Sequence, residues 1–350
     1  MRSRLRSGYP EVLLAAGLFA LSAPLAKLLL GEVEPIPLAG LLYLGAGVAA
    51  GASLPFGVRE ARLRVADLPW VLGATLAGGV LAPIALLYGL RGITAATASL
   101  LLSVENVATA AIAAVAFREF VGRRAWGAIL LITVGSAILG ISPAEGWGFS
   151  PYALLVLLAC ALWGLDNNLT RLVSLKDPRA IVAVKGILAG GFSLGLTFAL
   201  GKPLPGAGAA LLGLVLGGVS YGLSILLFVR ALRELGAART GALFGLSPFL
   251  AAALSLLIFR TRPEPQLLVA LPPLALGSYL LLFERHEHEH VHEPLVHDHR
   301  HRHDDGHHDH PHPEGIPPAK AHAHPHVHRR QVHIHQHSPD IHHRHTHPAG

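Results

Sequence analysis

The sequence predicts an all-α membrane protein of ten transmembrane helices, built as two inverted five-helix repeats and followed by a disordered histidine-rich tail. Three observations predict it. The 350 residues are 52% hydrophobic and only 14% charged, too apolar for an ordinary water-soluble domain. From residue 10 to 283 long apolar runs alternate with short polar breaks, whereas from 284 to 350 almost nothing apolar remains. Finally, segments of the first half recur in the second at a nearly constant offset.

A bilayer core needs about 20 mainly apolar residues per helix. Spans are expected at 11–30, 37–56, 69–88, 93–117, 124–141, 152–173, 180–200, 208–229, 238–259 and 264–283. The runs are continuous rather than alternating, which favours helices over barrel strands. Arg2, Arg4 and Arg6 before the first run resemble the start of a signal peptide. The run is long for that role and has a counterpart in the second half, so it reads as a retained first helix. The glycine pairs Gly78-Gly79, Gly190-Gly191 and Gly217-Gly218 read as close helix packing.

Basic residues set the direction of insertion. Alternate loops carry fifteen on one side (Arg2, Arg4, Arg6, Arg59, Arg62, Arg64, Arg118, Arg123, Arg124, Arg171, Lys176, Arg179, Arg230, Arg233 and Arg239) and four on the other (Arg91, Lys202, Arg260 and Arg262). The amino terminus is therefore expected in the cytoplasm and, after an even number of spans, the carboxyl terminus with it. The formal charge of +6 lies in these loops and not around any RNA- or DNA-binding motif, so no nucleic-acid partner is expected. A single cysteine, Cys160, excludes a disulfide framework or a cysteine metal cage.

The segment from Leu90 to Arg118 aligns without a gap on Leu232 to Arg260, and nine of the 29 pairs are identical. Phe19–Lys27 corresponds in the same way to Trp163–Arg171. Because five is odd, the second half must cross the membrane in the opposite sense to the first. Inverted repeats are common in secondary transporters, whose solute site lies near the midplane where the halves meet. The units are thus expected at 11–141 and 152–283, with the tail at 284–350. The partners expected are the bilayer of the inner membrane, a small-molecule or metal-ion substrate and, as the oligomer considered, a homodimer.

Phe117-Arg118-Glu119 at the end of the fourth span, CALWGLDNNLTRLVSLKDP (160–178) and YGLSILLFVRALRELGAARTGA (221–242) carry a family resemblance. With the two five-helix halves, residues 11–283 resemble the EamA family of the drug/metabolite transporter superfamily, in a subgroup with a histidine-rich end. The second half departs from the pattern at Thr261, where an acidic residue is absent. The resemblance implies that the first, fourth, sixth and ninth helices face a central cavity. Glu105 and Asp166 would then approach one space, opposite Ser247 and Pro248.

Ionisable groups inside spans are expensive and are functional-site candidates by default. Glu105 with Asn106 lies midway along the fourth span, and Asp166 with Asn167 and Asn168 in the sixth. Glu105 stands about twelve residues, about 18 Å, from either end of its helix, too far to snorkel. A carboxylate there can hold a cation or carry a proton coupled to solute movement. Lys27 and Lys185, nearer helix ends, are candidates to balance a carboxylate or to reach the membrane surface.

All 23 histidines fall within the tail. The run HEHEHVH supplies His286, His288, His290 and His292, and HDHRHRH supplies His297, His299, His301 and His303. His307, His308, His310 and His312 follow; HAHPHVH adds His322, His324, His326 and His328, and HIHQH adds His333, His335 and His337. His342, His343, His345 and His347 complete the set. Imidazole suits Zn, Ni, Co and Cu(II), and H-x-H in extended chain puts both rings on one side. Too few apolar residues are present to order the segment without metal. No cofactor is required otherwise.

Metal then enters as the transported ion or as a signal that gates an organic solute. Apart from Cys160 the spans offer only oxygen ligands, which counts against borderline metals as cargo. A membrane-anchored metal buffer without transport is the alternative, and pH sensing by the tail a further one. The chain is not expected to be an enzyme, since no zinc-protease, nucleophile-elbow or phosphate-loop motif occurs.

Overall fold

The computed structural model describes residues 2–56, 61–116, 122–142, 148–174, 176–235, 237–282, 287–292, 295–301, 322–328 and 331–336. Among the described residues, eight helices are long and apolar enough to cross a membrane: Gly8–Leu29, Pro35–Phe56, Val65–Gly92, Ala95–Ala116, Arg123–Gly140, Pro151–Arg171, Pro178–Ala199 and Ala207–Ala231. Ser247–Phe259 and Pro265–Leu280 are shorter apolar helices. Eight helices of spanning length therefore stand against the ten spans expected. The motif at Phe117-Arg118-Glu119 lies outside the described residues.

Several expected spans are interrupted. The first consists of α1 (Arg2–Ala20) and α2 (Ser22–Leu29), hinged at Leu21. Pro24 has no N–H to return to the carbonyl of Ala20, which accounts for the hinge. After α3 (Pro35–Ser53), the third span runs from α4 (Leu68–Ala74) through a π-helical turn, Thr75–Leu81, into α5 (Ala82–Gly92). The fourth divides into α6 (Ala95–Leu101) and α7 (Val104–Ala116), parted by a turn at Leu102 and Ser103. Thr94 starts α6, its hydroxyl accepting from Thr97 N at 3.1 Å.

Helix α8 (Arg123–Gly140) leads to a short antiparallel pair, β1 (Ile141–Ser142) and β2 (Gly148–Phe149), joining the halves. Then come α9 (Pro151–Arg171) and α10 (Pro178–Ala199), the latter capped by Asp177, which accepts from Arg179 N at 2.9 Å. Helix α11 (Ala207–Gly217) passes through a second π-helical turn, Gly218–Leu223, into α12 (Ser224–Leu235). Helices α13 (Ala237–Phe244) and α14 (Ser247–Phe259) are parted at Gly245 and Leu246, and α15 (Pro265–Leu282) ends the helical region.

The interior is small and aliphatic, with Leu38, Leu42, Leu87, Leu90, Leu100, Leu101, Ile132 and Leu274 fully enclosed among alanines. Large apolar side chains such as Leu130, Phe192, Leu211, Leu257 and Val269 are exposed. That distribution suits a lipid surround, where an apolar exterior carries no penalty. Glycine allows the closest crossings, as the sequence predicts for its glycine pairs. A Cβ on Gly47 of α3 would lie 2.6 Å from Ile187 N of α10, and one on Gly190 would lie 2.7 Å from Leu44 N.

Strands are described in parts of the tail. Among the described residues, β3 (Glu287–His292) pairs antiparallel with β6 (Gln331–Gln336), and β4 (Leu295–His301) with β5 (His322–His328). The H-x-H alternation that supplies no core does supply the period of two on which strands are built. The remaining tail histidines, His286, His303, His307, His308, His310, His312, His337, His342, His343, His345 and His347, lie outside the described residues.

Candidate functional site

Near the middle of the bundle α7 meets α9. Gly164 makes the approach possible: a Cβ there would lie 2.8 Å from both Ala108 Cβ and Thr109 N. Glu105 stands in the first turn of α7, just past the break at Leu102 and Ser103, and its Oε1 accepts from Asn167 Nδ2 at 3.0 Å. The same amide donates to Thr109 Oγ1 at 3.1 Å. Asn168 donates to the carbonyls of Thr109 (3.0 Å) and Gly164 (2.8 Å), so this buried amide serves the helix crossing.

Next to Asn167 on α9, Asp166 forms an ion pair. Lys185 of α10 donates to Asp166 Oδ1 and, at 3.1 Å, to Thr170 Oγ1; the Thr170 hydroxyl also donates to Asp166 Oδ1 at 2.8 Å. Asp166 is buried and Lys185 half-buried, their side chains 10% and 14% exposed, so the pair is largely shielded from bulk water. Asp166 packs against Gly78, in the π-helical turn of the third span, where any Cβ would overlap its carboxylate.

The Gly78 carbonyl is a focus of its own. It accepts from Tyr43 Oη at 2.5 Å and from Trp163 Nε1 at 2.9 Å, while Trp163 Nε1 is also 3.2 Å from Tyr43 Oη. Tyr43 stacks on Tyr221 (6.0 Å, 28°), and Phe19 meets Tyr221 edge-on (5.8 Å, 85°). Aromatic rings from the first, second, sixth and eighth spans therefore adjoin the polar group through Trp163, which lies four residues, about one turn, before Asn167.

The structure brings together Glu105, Asn167 and Asn168 and, beside them, Asp166 and Lys185. Asn106 is exposed and is not among the bonded groups. Lys27 is elsewhere: its ammonium donates to the carbonyls of Leu90 and, at 2.9 Å, Ile93, at the C-terminal end of α5. Cations are favoured there by the unpaired carbonyls of a helix end. Ser247 is buried at the start of α14 and bonds the Phe244 carbonyl at 2.5 Å, closing the break in that helix. Cys160 is buried with its thiol toward the Leu101 carbonyl at 3.5 Å.

Sequence reasoning missed Thr109, Thr170, Tyr43, Trp163 and Tyr221. The Gly78-Gly79 pair was a usable signal, because two adjacent glycines mark a backbone that something approaches closely. What approaches, a carboxylate and two aromatic donors, comes from spans remote in sequence.

An EamA-like transporter family model matches residues 6–141 and again residues 150–283. The chain is 31% identical over 279 residues to an "Uncharacterized transporter" of Methanothermobacter thermautotrophicus (strain Delta H), covering 72% of this chain and 79% of that protein. A solved crystal structure superposes with a TM-score of 0.57 at 20% identity, over 79% of this chain and 95% of the other, and shares the fold. The matched residues take in both helix breaks, both π-helical turns and every side chain of the polar group, and the chain belongs to the EamA-like transporter family.

Proposed function

We propose that the protein is an inner-membrane secondary transporter that carries a small, positively charged organic solute outward by alternating access, with its cytoplasmic tail binding Zn, Ni, Co or Cu as a regulator. The observation that carries the reading is the Glu105–Asn167 bond at the break of the fourth span, beside the Asp166–Lys185 pair. Two carboxylates and one ammonium leave one negative charge in excess, which suits a cationic group or a coupling proton. The aromatic group of Tyr43, Trp163 and Tyr221 supports an organic cation, since ring faces attract cations. Apart from the Cys160 thiol, the ligands near Glu105 are oxygens, which argues against a borderline metal as cargo.

The ten-span reading counts α13 with α14 as the ninth span and α15 as the tenth. The two halves, 11–141 and 152–283, are then inverted repeats, and corresponding irregularities support this. The π-helical turns begin at Thr75 and Gly218, 143 positions apart, and the helix breaks begin at Leu102 and Gly245, also 143 apart. The excess of basic residues in one set of loops supports cytoplasmic termini.

The test is the total Zn, Ni, Co and Cu of cells expressing the intact protein, Glu105→Gln, or a chain truncated after Arg285. Metal content that tracks the tail and ignores Glu105 is the expected result, with the solute then sought among organic cations. A metal that falls with the intact protein and recovers with Glu105→Gln makes the metal itself the cargo. If Glu105→Gln also leaves every organic-cation flux unchanged, the protein is a membrane-anchored metal buffer.

A further inference from the structure

We infer that the third span is a lever. Its base is tied down at one end of the bundle, its π-helical turn is the hinge, and its tip, Leu90–Ile93, is held by an ionic latch that must release for the other end of the bundle to open. This rests on the reading of the protein as a transporter that works by alternating access.

The latch draws on several spans. Arg91, in the last turn of α5, pairs through Nη2 with Oε1 of Glu34, the residue before α3, at 3.1 Å. The other carboxylate oxygen of Glu34 lies 4.0 Å from Nζ of Lys202, just past the end of α10. Beside the ion pair, the ammonium of Lys27 in α2 donates to the carbonyls of Leu90 and Ile93. Groups from the first and second spans thus hold the same short tip, and Lys202, after the seventh, steadies Glu34.

The base is tied differently. Asp67, just before α4, pairs with Lys176 at 3.6 Å, and the backbone N–H of Asp177 donates to the Ala61 carbonyl at 2.9 Å. Arg179 joins this corner to α3, pairing with Asp177 at 2.7 Å and donating to the Ser53 carbonyl at 3.3 Å. The side chains of Lys176 and Asp67 are 13% and 18% exposed, those of Arg91 and Glu34 38% and 32%. An ion pair open to water contributes little to stability, so the tip is the end that yields, while the shielded base with its backbone bond stays.

Between base and tip the π-helical turn Thr75–Leu81 interrupts the regular hydrogen bonding, and helices bend at such turns. The hinge lies at the polar group: Asp166 packs against Gly78, and the Gly78 carbonyl accepts from Tyr43 and Trp163. A bend there changes the space left to the Asp166 carboxylate, and a cargo group that draws on Asp166 bears in turn on the hinge. Latch and site are coupled through one helix.

Hydrogen–deuterium exchange of the full-length protein in detergent, read by mass spectrometry, tests the lever without any cargo. The variants are Glu34→Gln and Arg91→Gln, which release the tip, and Asp67→Asn, which loosens the base. Each latch variant is expected to raise exchange over 86–94 by about tenfold or more and to leave 68–74 at the parent rate. Asp67→Asn should leave 86–94 unchanged. An unchanged tip in either latch variant, tip and base loosening together, or a tip loosened by Asp67→Asn overturns the lever. The organic-cation flux of Glu105→Gln is read separately: an unchanged flux removes the transport reading, whereas exchange at the tip decides the lever.

Discussion

Lys185 shows how much one side chain in this bundle can decide. It is half-buried, and the bonds of its ammonium go to Asp166 and Thr170. Removing one member of such a pair leaves an uncompensated charge at a cost of about 3–5 kcal/mol, while removing both is far milder. Lys185→Met is therefore expected to lower the unfolding midpoint in detergent sharply, and the double variant Lys185→Met with Asp166→Asn to restore most of it. Thermal melts of the three proteins measure this; a double variant no more stable than the single would mean that the pair does not act as a unit. Glu105 differs, because its partner is a neutral amide, so Glu105→Gln should leave the melt within about 1 kcal/mol of the parent while removing the charge. Glu105 and Asp166 were legible in the sequence because a carboxylate in an apolar run is conspicuous. Asn167 and Lys185 were candidates as well, but which group pairs with which was not legible, since Asn167 reaches Glu105 across 62 positions of chain.

At the scale of elements, the irregular turns place the site. A π-helical turn displaces the register of the helix that carries it, and in the third span it directs the Gly78 carbonyl to Tyr43 and Trp163 while leaving space for Asp166. Gly78→Ala would put a methyl group into the Asp166 carboxylate. We expect a loss of about 1–3 kcal/mol from overpacking, together with a transport defect resembling that of Asp166→Asn. The control is Gly191→Ala, where a Cβ meets nothing within 4 Å and neither quantity should move. Equal defects in both variants would reduce Gly78 to a helix-propensity effect. Span positions were legible because twenty apolar residues have few other uses; the fourth span, expected at 93–117, is found at Ala95–Ala116. The break in the fourth span was hidden, because Leu102-Ser103 carries neither proline nor glycine.

The whole molecule joins an apolar bundle enclosing a polar group to a tail that carries all 23 histidines. The repeat was legible in the ungapped match of Leu90–Arg118 to Leu232–Arg260, and the structural irregularities recur at nearly the same offset. Ligation uses neutral imidazole, so protons compete with metal, and the unperturbed pKa of about 6.5 sets where they win. Bound Zn should be retained at about pH 7.5 and largely released by about pH 5.5, the affinity falling as pH falls. Protonating all 23 histidines would also add 23 positive charges to a formal net charge of +6, and their repulsion opposes the gathering of several histidines around one ion. Zn dialysis across this range, on the full chain and on the chain truncated after Arg285, measures the effect. Loss of Zn confined to the full chain assigns the proton competition to the tail; retention at the acid end would require ligands other than histidine, for which the aspartates and glutamates between the histidines are the available donors.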